Sequence, residues 1–119
     1  MGESGFTGDF AEYIAPDYVG HLGGQAPQSL DDLIRLERGF AGSFSNVSYD
    51  VEDLLAVDDK VVLRVSTSAT HTGTFYGIEP TDRRVVFTGI VIYRIANSRI
   101  AESWGELDLL ALFRQLRAA

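Results

Sequence analysis

The chain has 119 residues, 45% of them hydrophobic and 23% charged, the balance of one ordinary globular domain spanning residues 1–119. A formal net charge of −7 with ten basic residues excludes the clustered Lys and Arg that a nucleic-acid surface needs. Zero cysteines exclude a disulfide framework, a thiol nucleophile and a Cys-based zinc site.

No apolar run approaches the roughly 18 residues that a membrane span requires. The start lacks the basic-then-apolar order of a signal peptide, so a cytoplasmic protein with no membrane partner is expected. Phe6 stands where a myristoylation signal needs Ser or Thr, and Asn46-Val47-Ser48 matches a glycosylation acceptor by chance. The one basic pair, Arg83-Arg84, reads as a solvated turn.

In chain order, the Gly-rich residues 1–8 are expected to fray. Asp9 is placed to cap a short helix whose Phe10, Tyr13 and Ile14 share a face, ending before Pro16. Residues 16–28, rich in Gly and Pro, read as a loop with Tyr18 and His21 as its large polar side chains. Ser29 begins a capping box with Asp32, and Leu30, Leu33, Ile34 and Phe40 make the apolar stripe of a helix ending near Gly42.

Alternation from Val47 through Tyr49 and Val51 predicts a strand over 46–57, and Asp58-Asp59 turns it into a second strand. On that strand Val61, Leu63, Val65, Thr67, Ala69 and His71 share the core-facing side, so His71 points inward. Residues 84–95 are apolar on both faces, as a central strand covered on each side would be, and a partner subunit is one candidate cover. A turn over Ala96–Arg99 leads to a strand from Ile100 to Leu107, then a short amphipathic helix bearing Leu112, Phe113 and Leu116. Helices followed by hairpin-connected strands predict an α+β fold with a curved, antiparallel-rich sheet.

Several pieces carry a family resemblance: Thr70-His71-Thr72-Gly73, Gly77-Ile78-Glu79-Pro80-Thr81, Phe87-Thr88-Gly89-Ile90, and Glu102-x-Trp104-x-x-x-Asp108 followed by Leu112-x-x-Gln115-Leu116. Asp17-Tyr18-Val19-x-His21 fits as well. In order and spacing the chain resembles the SnoaL-like polyketide cyclases (ester cyclases) of the nuclear-transport-factor-2-like cone superfamily. The resemblance implies a cone-shaped fold, its strongly curved sheet wrapped around helices, with the N-terminal helix shortened relative to relatives. It implies cofactor-free chemistry on a small carbonyl compound, and a homodimer formed through the outer face of the sheet; two histidines without a third clear ligand give no expectation of a metal site. It also assigns Asp108 the role of catalytic acid/base and His21 a contact with ligand.

Each chemical reading has a plain structural counterpart. Asp108 is a candidate proton carrier, its pKa raised beside Trp104, yet Asp followed by Leu-Leu-Ala-Leu is also a good helix N-cap. His71 suits carbonyl polarisation or proton relay, and equally a structural histidine; His21 is a ligand contact or an exposed loop residue. Tyr18, Phe75, Phe87, Tyr93, Trp104 and Glu106 are expected to line the substrate site, with Glu102, Trp104, Glu106 and Asp108 on one face of the last strand. Ile90, Val91 and Ile92, where the cyclases tend to carry polar groups, point to a hydrophobic ligand.

Three functions follow. The first is a cyclase working by intramolecular aldol chemistry, with Asp108 as base and His71 or His21 steadying the enolate. The second is another cofactor-free enzyme of the superfamily, an isomerase or epoxide hydrolase. The third is a non-catalytic small-molecule binder, which an Asp108 turned to solvent would favour.

Overall fold

A computed structural model describes residues 10–118 of the chain. The expected cap at Asp9 and the fraying of residues 1–8 lie outside the described residues. The elements run α1 (Phe10–Tyr13), β1 (Ile14–Leu22), α2 (Leu30–Ser43), β2 (Phe44–Val57), β3 (Lys60–His71), β4 (Arg84–Ala96), β5 (Arg99–Leu107) and α3 (Leu109–Arg117).

Local chemistry accounts for most of these boundaries. The Ser29 hydroxyl accepts from the Asp32 N–H, and the Asp32 carboxylate accepts from the Ser29 N–H, so the capping box that begins α2 is complete. Val57 pairs with Lys60 across Asp58-Asp59, with Asp58 at φ 54°, a conformation that Asp tolerates in tight hairpins. Asn97 and Ser98 both hold positive φ in the β4–β5 turn, the requirement of a two-residue hairpin whose twist matches its strands.

The five strands form one mixed sheet in the order β1-β5-β4-β3-β2. β1 runs parallel to β5, and the other three pairings are antiparallel. β1 corrects the loop expected over 16–28. Its burial at Ile14, Tyr18 and Gly20 is masked in the sequence by Pro16 and Gly20. Pro16 is accommodated because β1 is an edge strand whose register slips between Ile14 and Val19. The segment beyond is tied down as well: Gly20 and Gln28 exchange two backbone hydrogen bonds of 2.8 Å.

Because side chains alternate, the sheet has two chemically different faces. The helices cover one. There Phe44, Ala69, Val85 and Phe87 pack with Leu112 and Leu116 of α3, and Phe40 of α2 meets Phe87 edge-on at 6.2 Å. Leu112 and His71 are fully buried in this part of the molecule. The opposite face is open in the single chain, and Val86 and Ile90 of the central β4 are about half exposed there.

Candidate functional site

On the helix-covered face, away from the packed core, the sheet presents small residues and phenols. Gly20 of β1 lies opposite Ser103 of β5, Gly105 opposite Val91 of β4, and Ser103 opposite Tyr93. A Cβ at Gly20 would run into the ring and hydroxyl of Tyr18, so glycine there is what lets Tyr18 fold back across its own strand. The Tyr18 hydroxyl then meets the Ser103 hydroxyl at 2.6 Å, with Tyr18 itself buried. Burial pushes the Tyr18 phenol up; the Ser103 hydrogen bond opposes this and the charge of Glu37 adds to it.

Tyr93 is the most perturbed of the group. Burial above all, with the charges of Tyr18, Glu37 and Tyr49, pushes its phenol up to about 12. Tyr49 on β2 is raised by burial and by Glu37. The charge of Glu37 thus adds to the rise at phenols on three strands. Its spacing from Leu33 and Phe40 keeps it on the inward stripe of α2. Burial raises its carboxyl above the ordinary carboxylate value. Among the described residues it has neither a hydrogen bond nor an ion pair.

The open face holds a different set. His21 stacks on Trp104 with ring centroids 5.5 Å apart and planes 15° from parallel. Its Nε2 lies 2.8 Å from Glu102, whose other carboxylate oxygen accepts from Arg94 at 3.1 Å. The His21 hydrogen bond, together with Arg94, holds the Glu102 carboxyl below the usual range. Beside this network Lys60, Ile90, Ile92, Trp104 and Glu106 line a shallow groove of about 420 Å³.

These placements divide the residues singled out from sequence. Tyr18, Phe87 and Tyr93 lie on the helix-covered face; His21, Trp104 and Glu106 lie on the open one. His71 is on the covered side but remote. Val61 stands opposite Tyr93, and His71 ends that strand about 30 Å further along at the usual rise. The His71 Nδ1 accepts from the Thr81 N–H at 3.2 Å, and its buried Nε2 has no hydrogen-bond partner among the described residues. Phe75 joins the aromatic cluster over that end, 5.0 Å from Phe44 and 5.7 Å from Phe113.

Asp108 follows the last residue of β5 and is exposed. Its backbone N–H donates to the Thr88 carbonyl, and its side chain accepts from the Ala111 N–H at 3.0 Å. It is the N-cap of α3. β5 ends before Asp108, and its alternation points Trp104 to the face opposite His71. Glu37, Tyr49 and Ser103 were not singled out from sequence. The signal for Glu37 was available: an acid at the position where the α2 stripe calls for an apolar residue.

A five-stranded mixed sheet with helices packed on one face, and phenols and a carboxyl on that covered side, has the architecture of the cone fold. The chain belongs to the SnoaL-like polyketide cyclase family, whose model matches residues 3–116. Among solved structures it is similar to AclR from Streptomyces galilaeus, a proposed hydroxylase, at 28% identity and TM-score 0.83, covering 88% of this chain and 66% of that one. IdmH from Streptomyces antibioticus, a proposed polyketide cyclase, is also 28% identical, with TM-score 0.80 and coverage of 90% and 84%. TsrD from Streptomyces laurentii matches at 28% identity and TM-score 0.80, covering 92% and 81%. No curated protein matches the chain. Among the described residues no helix is long and apolar enough to cross a membrane.

Proposed function

We propose that the protein binds a hydrophobic carbonyl compound between α2 and the covered face of the sheet, and cyclises it by cofactor-free acid/base chemistry of the intramolecular aldol type. The observation that carries this reading is the hydroxyl pair of Tyr18 and Ser103 at 2.6 Å beside Tyr93, on a face otherwise made of apolar and small residues. Protonated phenols in such surroundings are suited to hold an enolate oxygen, since hydrogen bonds to developing charge are strongest where water is scarce.

The second reading is a binder without turnover, and the exposure of Asp108 favours it. In the aldol reading Asp108 has to reach a ligand from the rim of the sheet while its carboxylate caps α3. The two are separated by offering 1-phenylhexane-1,5-dione, which closes by aldol addition and then loses water to give 3-phenylcyclohex-2-enone. Formation of the enone by wild-type protein supports the cyclase; saturable binding without product supports the binder; no binding contradicts both.

We also propose that a second copy covers the open face. Val86, Ile90 and the groove beside Trp104 lie there, and the tip of the β2–β3 hairpin exposes Leu55 at 63%. Light scattering is expected to give twice the chain mass of 13.0 kDa, and Ile90→Asp to return the monomer with its fold intact. A monomeric wild type at micromolar concentration contradicts it.

A further inference from the structure

The covered side carries a carboxylic acid, Glu37, that the family motifs do not point to. We infer that Glu37 is the catalytic acid/base of this pocket, with Tyr18 and Tyr93 donating to the carbonyl oxygen of the bound compound. The inference rests on the reading that the ligand sits between α2 and the sheet, and it supplies the base that Asp108, spent on the α3 cap, does not.

Three features of geometry carry it. Glu37 occupies an inward position of an amphipathic helix, four residues after Leu33 and three before Phe40. Phe40 contacts Phe87, and one helical turn earlier, about 5 Å along the axis, α2 passes over the sheet beyond Phe87. There the sheet carries Gly89, overlain by the Leu107 side chain, then Val91 and the phenol of Tyr93. A carboxylic acid on an inward stripe normally finds a cation. Arg35, two residues earlier, projects from another side of the helix and is committed to Asp32 at 2.6 Å, and Glu37 has no ion pair among the described residues. Uncompensated burial of this kind costs stability and makes the carboxylate a stronger base, the combination expected of a working group.

The step balances without cofactor. The Glu37 carboxylate takes a proton from the carbon next to a carbonyl, and the electron pair moves to the carbonyl oxygen, held by the phenols. The enolate carbon attacks a second carbonyl of the same molecule. A carbon–carbon bond forms, and the new alkoxide takes the proton back from Glu37. The groups facing Glu37 from the sheet are the phenols of Tyr18, Tyr49 and Tyr93. Ionisation of Glu37 alone therefore sets the acid limb of the rate profile.

The test uses 5-nitrobenzisoxazole, whose ring opens when a base removes its one carbon-bound ring proton beside nitrogen. The nitrogen–oxygen bond breaks, and the electron pair leaves on a coloured phenolate. Wild-type protein is expected to catalyse this opening, with a rate that rises with pH along one ionisation lying above the usual carboxylate range. Glu37→Gln should lower the rate at least about 100-fold, and Glu37→Asp should restore part of it. Binding of the unreactive analogue 5-nitrobenzotriazole, with circular dichroism, establishes that each variant is folded and its pocket open. Wild-type turnover retained by a Glu37→Gln protein that still binds the analogue overturns Glu37 and leaves the pocket reading standing. Binding without turnover by the wild type does the same. Failure of the wild type to bind the analogue overturns the pocket reading itself.

Discussion

β4 and β5 send alternate residues to two faces, and those faces handle charge in opposite ways. On the open face Glu102 is held by His21 and Arg94, and its carboxyl sits below the usual range. On the covered face Glu37 has no such partner, and burial raises it. A carboxylate whose charge is satisfied by neighbours is a structural brace. One whose charge is opposed by its surroundings is ready to accept a proton. Each acid follows an apolar residue in the sequence, Leu36 before Glu37 and Ala101 before Glu102, and only the fold separates their roles.

The covered face is also where packing energy concentrates, so the largest effect should come from its closed end. Phe44, 2% exposed, contacts Phe40, Phe75 and His71. Phe44→Ala is expected to cost about 3–5 kcal/mol in urea unfolding. A loss under about 1 kcal/mol would mean that this end is not the core. Gly20→Ala comes next, at about 1–3 kcal/mol, because the added methyl meets the Tyr18 ring. It should also break the Tyr18–Ser103 contact and weaken analogue binding, measured by calorimetry. Unchanged binding would remove Tyr18 from the pocket.

Asp108→Asn keeps a good capping side chain, so stability should change by less than about 1 kcal/mol. Loss of turnover in that variant, with Glu37→Gln active, would return the base to the end of β5. The smallest effects distinguish the two carboxylates by sign. Glu102, lowered in the folded chain, adds stability that is present above its unfolded pKa and lost as pH falls through its folded one. Glu37, raised, does the reverse: stability declines as pH climbs from its unfolded pKa through its folded one. Glu102→Gln should flatten the acid-side loss, and Glu37→Gln should remove the decline and be more stable at neutral pH. Matching slopes in the two variants would erase the distinction between the faces.

Much of this architecture was legible in the chain. The Ser29–Asp32 capping box, the Asp58-Asp59 hairpin, the Asn97-Ser98 turn and the amphipathic α3 each follow from a few adjacent residues. β1 was not, because an edge strand with Pro16 at a register slip loses the alternation that would announce it. The site divided along the same line. Period-two spacing groups Trp104 with Glu102 and Glu106 but cannot say which face the helices cover, since Ile90 and Ile92 make that side of β4 as apolar as the other. Glu37 hid inside a helical stripe that reads as apolar when its one charged member is passed over.

The most direct measurement is a set of nuclear Overhauser contacts from bound 5-nitrobenzotriazole to the side chains of β4 and β5. The account predicts contacts to Val91 and Tyr93, with Tyr18 beyond them. Contacts to Ile90, Ile92 and Trp104 would put the ligand in the open groove and contradict it.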